Sequence, residues 1–176
     1  LYLKDISKES AVSELEFHFP ASSISMKKIA KLFEKYPELY GDKSFPEKLA
    51  GLQCSVTSGF MHGYADMIFE SEGKYYIIDW KTNHLGASPE DYRQERLMNA
   101  MEESFYILQY SVYLAALIRF LRSKITDFSF GKHIGGVFYI FLRGISKGKP
   151  GSGVFYSLPP EGFLEEIENI FSGGCE

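Results

Sequence analysis

The chain has 176 residues, the usual length of one domain. Hydrophobic residues make up 45% and charged residues 24%, which favours a packed core over a disordered chain. A net charge of -4 excludes a basic protein that coats nucleic acid, and no apolar run approaches the roughly 18 residues of a membrane span.

Strand and helix signals alternate along the chain. The predicted elements are a strand over 14–19, a helix over about 25–36, an irregular insertion over 37–58 with a short helix near 45–52, strands over 60–70 and 74–81, a long helical stretch over about 91–125, strands over 135–142 and 154–157, and a helix over 160–171. Pro20 should end the first strand, Ser22 or Ser23 should cap the first helix, and the long helix should break near residues 101–104. This order predicts an α/β fold, a central mixed sheet flanked by helices.

Two cysteines, Cys54 and Cys175, have no spacing that suggests a disulfide framework or a zinc site. A reducing, cytoplasmic compartment is therefore expected. The chain begins at Leu1 without a signal pattern, and we interpret residues 1–176 as one domain, a fragment of a longer polypeptide.

Two acids stand among apolar residues in the strands over 60–70 and 74–81. A turn centred on Glu72 and Gly73 would place Asp66 opposite Asp79, with Cβ atoms about 4.5–5.5 Å apart. Two like charges at that distance repel unless one is protonated or a cation lies between them. A divalent metal with oxygen ligands would satisfy both carboxylates.

Lys81 is two residues from Asp79, so both side chains should point to the same face of the sheet. Two carboxylates and an ammonium suit metal-assisted phosphodiester hydrolysis, in which the lysine positions or helps to deprotonate the water and offsets phosphoryl charge. Two other interpretations stay open. The acids and the lysine could form an ordinary ion pair, or two close acids could serve a retaining glycosidase, a chemistry that does not need Lys81.

Three segments together resemble the PD-(D/E)XK nuclease superfamily. They are Gly63-Tyr64-Ala65-Asp66, Asp79-Trp80-Lys81-Thr82-Asn83 and Gln109-Tyr110-Ser111-Val112-Tyr113, supported by the stretches 14–20 and 135–144. Over essentially the whole chain the pattern is similar to the RecB family of C-terminal nuclease domains, the exodeoxyribonuclease V beta-chain type. The resemblance implies a restriction-endonuclease-like core.

The resemblance also implies roles for individual residues. Asp66, Asp79 and the backbone carbonyl of Trp80 would be metal ligands, and Lys81 would be the catalytic lysine. Gln109 and Tyr113, four apart on one helical face, would reach the DNA backbone or order the site; the alternative is a hydrogen-bonded pair on the helix surface or in the core. The implied cofactor is Mg²⁺, with Mn²⁺ able to substitute and Ca²⁺ inhibitory.

The chain departs from the family pattern at two points. Ala65 stands where the superfamily name has proline, which is common in this branch. Family members carry a further metal-ligating histidine on a helix upstream of the first strand, and no histidine precedes Glu14 here. His18 lies in the predicted strand, the wrong place for that role. We therefore expect the fragment to lack this helix. Alone, it should bind metal more weakly and have low nuclease activity or none.

The implied function is hydrolysis of DNA phosphodiesters during double-strand-break repair and recombination, as part of a helicase–nuclease. The implied partners are DNA, RecC-like and RecD-like subunits and a RecA-like recombinase, with no membrane. The alternative is a non-catalytic module that docks the recombinase or a partner subunit and retains the carboxylates for structural reasons.

The remaining polar residues give weaker signals. Glu16 is a possible further acid near the site, although a carboxylate at a strand edge is the simpler interpretation. Histidines 62, 84 and 133 lack ligand spacing, and residues 148–153 lack the spacing of a phosphate-binding loop. The basic residues that could line a DNA path, or simply solvate a helix end and a loop, are Arg119, Arg122, Lys124, Lys132, Arg143, Lys147 and Lys149.

Overall fold

The computed structural model describes residues 3–52 and 55–172. One mixed sheet of five strands has the spatial order β1-β2-β3-β4-β5. The strands are β1 (Ala11–Ser25), β2 (Ser55–Ser71), β3 (Lys74–Lys81), β4 (Ile134–Phe141) and β5 (Val154–Ser157). Strands β3 and β4 are parallel and the other neighbours are antiparallel. The predicted α/β class is confirmed. Cys54 and Cys175 lie outside the described residues.

The helices are α1 (Met26–Glu34), α2 (Phe45–Ala50), α3 (Gln94–Glu103), α4 (Tyr106–Lys124), α5 (Phe130–His133) and α6 (Glu161–Ser172). The large apolar core contains residues of α1, α2, α3, α4 and α6 together with Ile77 of β3 and Tyr139 of β4. A smaller cluster of Phe69, Ile78 and Ile140 lies on the opposite face of the sheet. Ile77 and Ile78 fall in different clusters because successive strand residues point to opposite faces.

Strands β1 and β2 are both longer than the sequence predicts. The prediction that Pro20 ends the first strand is wrong, because Pro20 pairs with Phe60 in the interior of β1. Strand β1 is an edge strand, and edge strands tolerate a residue that has no backbone N–H. Pairing continues to Ser25 opposite Ser55, so residues 55–58 are strand and not irregular insertion. The helix cap is Ser25, whose hydroxyl accepts from the Lys28 N–H at 3.4 Å, and not Ser22 or Ser23.

The long helical stretch breaks at Ser104 and Phe105, close to the predicted point. Phe105 has a left-handed φ of 53°, and α3 and α4 are bent by 80° relative to each other. Among the described residues no single helix is long and apolar enough to span a membrane; α3 and α4 pass that test only as a bent pair. The bend sets Tyr106 as the first residue of α4.

The turn between β2 and β3 is centred on Glu72 and Gly73, as predicted, and it has two residues. Glu72 and Gly73 both have positive φ, 53° and 78°, as a type I′ turn requires. Ser71 therefore pairs with Lys74, and the register continues without a shift to Met67 opposite Ile78. The next position in this register is Asp66 opposite Asp79.

Candidate active site

The alternation of β2 changes at Asp66. Ala65 and Ile68 pack against the large core, whereas Met67 packs against the cluster on the opposite face. In a regular strand residues 65 and 67 would share a face. On β1, Glu14 stands at the corresponding place between two regular pairs and has a left-handed φ of 54°. Both strands are thus irregular where the first candidate acid lies, although their register is unbroken.

This irregularity replaces the simple cross-strand pair that the sequence predicts. The β2–β3 pairing ends at Met67, and the Asp66 carboxylate instead accepts a hydrogen bond from the Trp80 backbone N–H at 2.8 Å. The N–H and C=O of one strand residue face the same neighbouring strand. The carbonyl of Trp80 therefore faces the side on which Asp66 lies.

Asp79 is the buried acid of the pair, with 5% of the residue exposed. Burial raises the pKa of its carboxyl group, the Lys81 ammonium works against that change, and the nearby Asp66 carboxylate adds to it. The charge of each acid therefore disfavours the charge of the other.

Lys81 completes the group. Its ammonium is 2.8 Å from Asp79 Oδ2, and its side chain is 11% exposed. It also donates to Gln109 Oε1 at 3.2 Å and lies 3.9 Å from the centroid of the Tyr106 ring. Strand β3 thus brings Asp79 and Lys81 to one face, and helix α4 covers the ammonium.

Gln109 is held by hydrogen bonds within the protein. Its Oε1 accepts from Tyr139 Oη at 2.9 Å as well as from Lys81, and its Nε2 donates to Tyr113 Oη at 3.0 Å. The Tyr113 ring meets Phe17 of β1 edge-on at 4.9 Å between centroids. Of the two roles that the resemblance allows for Gln109 and Tyr113, these contacts favour ordering of the site.

Three residues at the site were not assigned a role from the sequence. Tyr106 lies three residues before Gln109, so helical spacing could have revealed it. Asn83 Oδ1 accepts from Tyr106 Oη at 3.2 Å. Tyr139 pairs with Asp79 in the parallel β3–β4 ladder, and burial raises the pKa of its hydroxyl well above its ordinary value. Only the register of two distant strands brings Tyr139 to the site.

The oxygen atoms at the site are suitable ligands for a hard divalent cation, but they are too few to complete its coordination. Two carboxylates and the Trp80 carbonyl are oxygen ligands of the kind that Mg²⁺ prefers. In the part of the chain that the structure describes, no group of three or more His, Cys, Asp or Glu side chains could hold a metal. A cation held by these three oxygen donors would keep coordination positions open for water.

The other candidate residues lie in different surroundings. Glu16 Oε1 and His62 Nε2 are 2.6 Å apart, a contact between strands β1 and β2. Arg122 binds Glu165 and Glu168 of α6, so this basic residue joins two helices. Lys149 likewise contacts Glu90 at 3.1 Å. Arg122 and Lys149, two of the basic residues that were predicted to line a DNA path or to solvate a helix end and a loop, thus form ion pairs within the chain.

Arg143 is the basic residue that lies beside the site. Its Nε donates to the carbonyl of Thr82 at 3.0 Å, and Thr82 directly follows Lys81. The residue is exposed. Its guanidinium is therefore anchored at the edge of the sheet where β3 and β4 both end.

A cavity of about 390 Å³ lies between strands β1 and β2 and the second half of α4. Its lining includes Leu15, Phe17, Ala65, Tyr113 and Phe120. Asp66, Asp79 and Lys81 are not among its lining residues, so this cavity is separate from the carboxylate site. Tyr113, which lines the cavity, connects the two through its hydrogen bond with Gln109.

The sequence of the chain is similar to those of several known proteins. The RecBCD enzyme subunit RecB of Escherichia coli is 32% identical over 172 residues, 97% of this chain. The chain belongs to the RecB family. The RecB of Haemophilus influenzae is 42% identical over 120 residues, 68% of the chain, and that of Mycobacterium tuberculosis is 32% identical over 196 aligned residues, 99% of the chain. No family model matches the chain.

The match covers nearly all of this chain but a small part of each relative. The chain spans 14% of the length of the E. coli RecB and 10% and 18% of the other two. The mixed sheet with its flanking helices agrees with the restriction-endonuclease-like core expected of the RecB nuclease region.

Proposed function

We propose that the chain is a metal-dependent DNA nuclease domain, residues 1–176, of a RecBCD-type helicase–nuclease that acts in the bacterial cytoplasm. The convergence of Asp66, Asp79 and Lys81 carries this proposal. The Asp66 carboxylate accepts a hydrogen bond from the Trp80 N–H, and its charge contributes to the raised pKa of Asp79. The Lys81 ammonium lies 2.8 Å from the Asp79 carboxylate. Two adjacent acids, one of them almost fully buried, are costly unless a cation balances them.

Each residue would have a separate task in phosphodiester hydrolysis. Asp66, Asp79 and the Trp80 carbonyl would hold Mg²⁺ or Mn²⁺. A bound metal supplies polarisation of the phosphate and a lowered pKa of a bound water. The Lys81 ammonium would offset negative charge on the phosphoryl oxygens and position the attacking water. Gln109 and Tyr113 would hold Lys81 in place against helix α4.

The wider assignment follows from the family. The relatives' name describes a subunit of the RecBCD enzyme, so we propose RecC-like and RecD-like partner subunits and DNA as the substrate. Repair of double-strand breaks by recombination is the process that such an assembly would serve, and a RecA-like recombinase is a further proposed partner. Inhibition by Ca²⁺ belongs to the same proposal.

A calorimetric Mn²⁺ and Mg²⁺ titration of the chain tests the metal site. Binding should be lost in Asp66→Asn and in Asp79→Asn, because each change removes a charged ligand while it keeps the side-chain shape. Asp127→Asn, which removes an exposed acid in the loop after α4, is the matched control and should bind like the wild type. Absence of millimolar Mn²⁺ binding by the wild type would contradict the proposal for this chain.

Cleavage of linear single- and double-stranded DNA separates catalysis from metal binding. Lys81→Met should retain metal binding and lose cleavage, since the lysine is not a ligand. Both aspartate variants should lose cleavage as well as metal binding. A chain that binds metal equally in all variants, or whose DNA cleavage is unaffected by Asp79→Asn, would favour the non-catalytic docking module.

A further inference from the structure

We infer that Tyr106 is a positioning residue that holds the catalytic lysine in place through the face of its ring, an inference that rests on the proposed function. The Lys81 ammonium lies 3.9 Å from the centroid of the Tyr106 ring and 5.0 Å from that of Tyr139. The two rings are 5.6 Å apart and inclined by 37°, so they form two walls of one enclosure. A cation held over an aromatic face is stabilised most where water is excluded.

The hydrogen bonds of Lys81 show why the ring matters. An ammonium has three N–H donors. Asp79 and Gln109 accept from Lys81 at 2.8 Å and 3.2 Å, which accounts for two of them. With 11% of the side chain exposed, little water is available to the third donor, and the Tyr106 ring is the nearest aromatic face.

The ring contact should become more important when the carboxylate binds a cation. Asp79 is both the charged partner of Lys81 and a proposed metal ligand, so its attraction for the ammonium weakens in the metal-bound state. Gln109 and Tyr106 are neutral and are not proposed ligands, so their contacts persist. They would keep the ammonium beside the phosphate at the moment when its ion pair is weakest.

The position of Tyr106 is itself constrained. It is the first residue of α4 and follows the left-handed Phe105 at the 80° bend. Its hydroxyl donates to Asn83 Oδ1 at 3.2 Å, which ties the ring to the segment after β3. Tyr106 and Gln109 lie on the same face of α4, one turn apart, so one helix supplies both neutral contacts.

Two substitutions separate the ring from the hydroxyl. Tyr106→Leu removes the aromatic face, and Tyr106→Phe keeps it while it removes the bond to Asn83. We expect Tyr106→Leu to lower kcat for DNA cleavage with Mn²⁺ by about 30-fold with KM for DNA unchanged, as loss of a desolvated cation–π contact predicts. Tyr106→Phe should restore most of the rate. Tyr156→Leu, a half-exposed tyrosine on β5, is the control and should cleave like the wild type.

A second measurement needs no metal and no activity. In the chain labelled with ¹³C-lysine, the Lys81 ε-methylene signal is assigned by its loss in Lys81→Arg. Protons over a ring face are shifted upfield, so the signal should be upfield in the wild type and in Tyr106→Phe, and should return to the ordinary lysine position in Tyr106→Leu.

The outcomes distinguish this inference from the proposed function. An unshifted Lys81 signal in the wild type, or equal kcat values in the wild type and Tyr106→Leu, would overturn the positioning role alone. A wild-type chain with an upfield Lys81 signal but no millimolar Mn²⁺ binding would instead overturn the proposed function, and with it any catalytic role of Tyr106. Equal loss of rate in Tyr106→Leu and Tyr106→Phe would show that the hydroxyl matters and the ring contact does not.

Discussion

Neutralising Asp79 and neutralising Lys81 should change the stability of the metal-free chain in opposite directions. The site holds two carboxylates and one ammonium, so one negative charge is in excess. Burial raises the pKa of Asp79 even though Lys81 lies 2.8 Å away, which means that the charged carboxylate is disfavoured there. Asp79→Asn keeps the side-chain shape and leaves Asp66 and Lys81 as a balanced pair. In EDTA at pH 7 it should be at least as stable as the wild type.

The pH dependence of this difference follows from the direction of the pKa change. Because the pKa of Asp79 is higher in the folded chain than in the unfolded chain, the folded state binds the proton more tightly. The stability of the wild type therefore falls as the pH rises through the interval between the two values. Asp79→Asn should therefore be more stable than the wild type at pH 7. The difference in stability should shrink at pH 3, where Asp79 is protonated in both the folded and the unfolded chain.

Lys81→Met should have the opposite effect, because it leaves two neighbouring acids without a positive charge. Removing one partner of a buried ion pair costs about 3–5 kcal/mol. Asp66 is only half-buried, so we take the lower value of about 3 kcal/mol. For a chain of this length 1 kcal/mol changes Tm by about 2–4 °C, which gives a decrease of roughly 6–12 °C in EDTA.

Metal addition should raise the Tm of the wild type and of Lys81→Met but not that of Asp79→Asn. At ten times Kd a ligand stabilises the folded state by about 1.4 kcal/mol, or roughly 3–6 °C here. The wild type and Lys81→Met should both show this rise with Mn²⁺, and Asp79→Asn should show none. Differential scanning calorimetry in EDTA and across an Mn²⁺ series measures all three. A loss of several degrees in Asp79→Asn in EDTA, or an undiminished Mn²⁺ response in that variant, would refute the charge-balance argument.

Two further predictions concern stability away from the site. In Gly63→Ala the new Cβ would lie 2.6 Å from Cζ of Phe17, so overpacking should lower the free energy of urea unfolding by about 1–3 kcal/mol, and Phe17→Leu in the same chain should recover part of it. The Ser88 hydroxyl, followed by the Glu90 backbone and Lys149, lowers the pKa of Glu90 to about 2, so this exposed acid contributes stability above its ordinary pKa that is lost as the pH falls toward 2. Glu90→Gln should therefore be less stable than the wild type at pH 7 and equal to it at pH 2; a constant difference would contradict this assignment.

The β2–β3 hairpin was predictable because its geometry is local. Glu72 and Gly73 adopt the positive φ angles of a two-residue turn, and the turn alone determines the pairing of Ile68 with Ile77. The placement of Asp66 beside the β3 strand follows from that register. The hydrogen bond from the Trp80 N–H to Asp66 was not predictable, because it depends on the irregularity of β1 and β2 at that point.

Pro20 shows where a correct local rule gives a wrong boundary. Proline interrupts a strand that has neighbours on both sides, but β1 has a neighbour on one side only. Whether a strand lies at an edge is a property of the whole sheet. The edge position of β1 therefore cannot be used until the order of the strands is known.

The surroundings of Lys81 depend on the same kind of long-range information. The sequence places Gln109 and Tyr113 on one face of a helix, but it does not say what that face meets. The parallel pairing of β3 with β4, across more than fifty residues of intervening chain, brings Tyr139 beside Asp79 and within 2.9 Å of Gln109 Oε1. With its carbonyl already shared by Tyr139 and Lys81, Gln109 has little capacity left to bind DNA directly. Its effect on cleavage should therefore act through the lysine, so a loss of rate in Gln109→Ala should appear in kcat and leave KM for DNA unchanged.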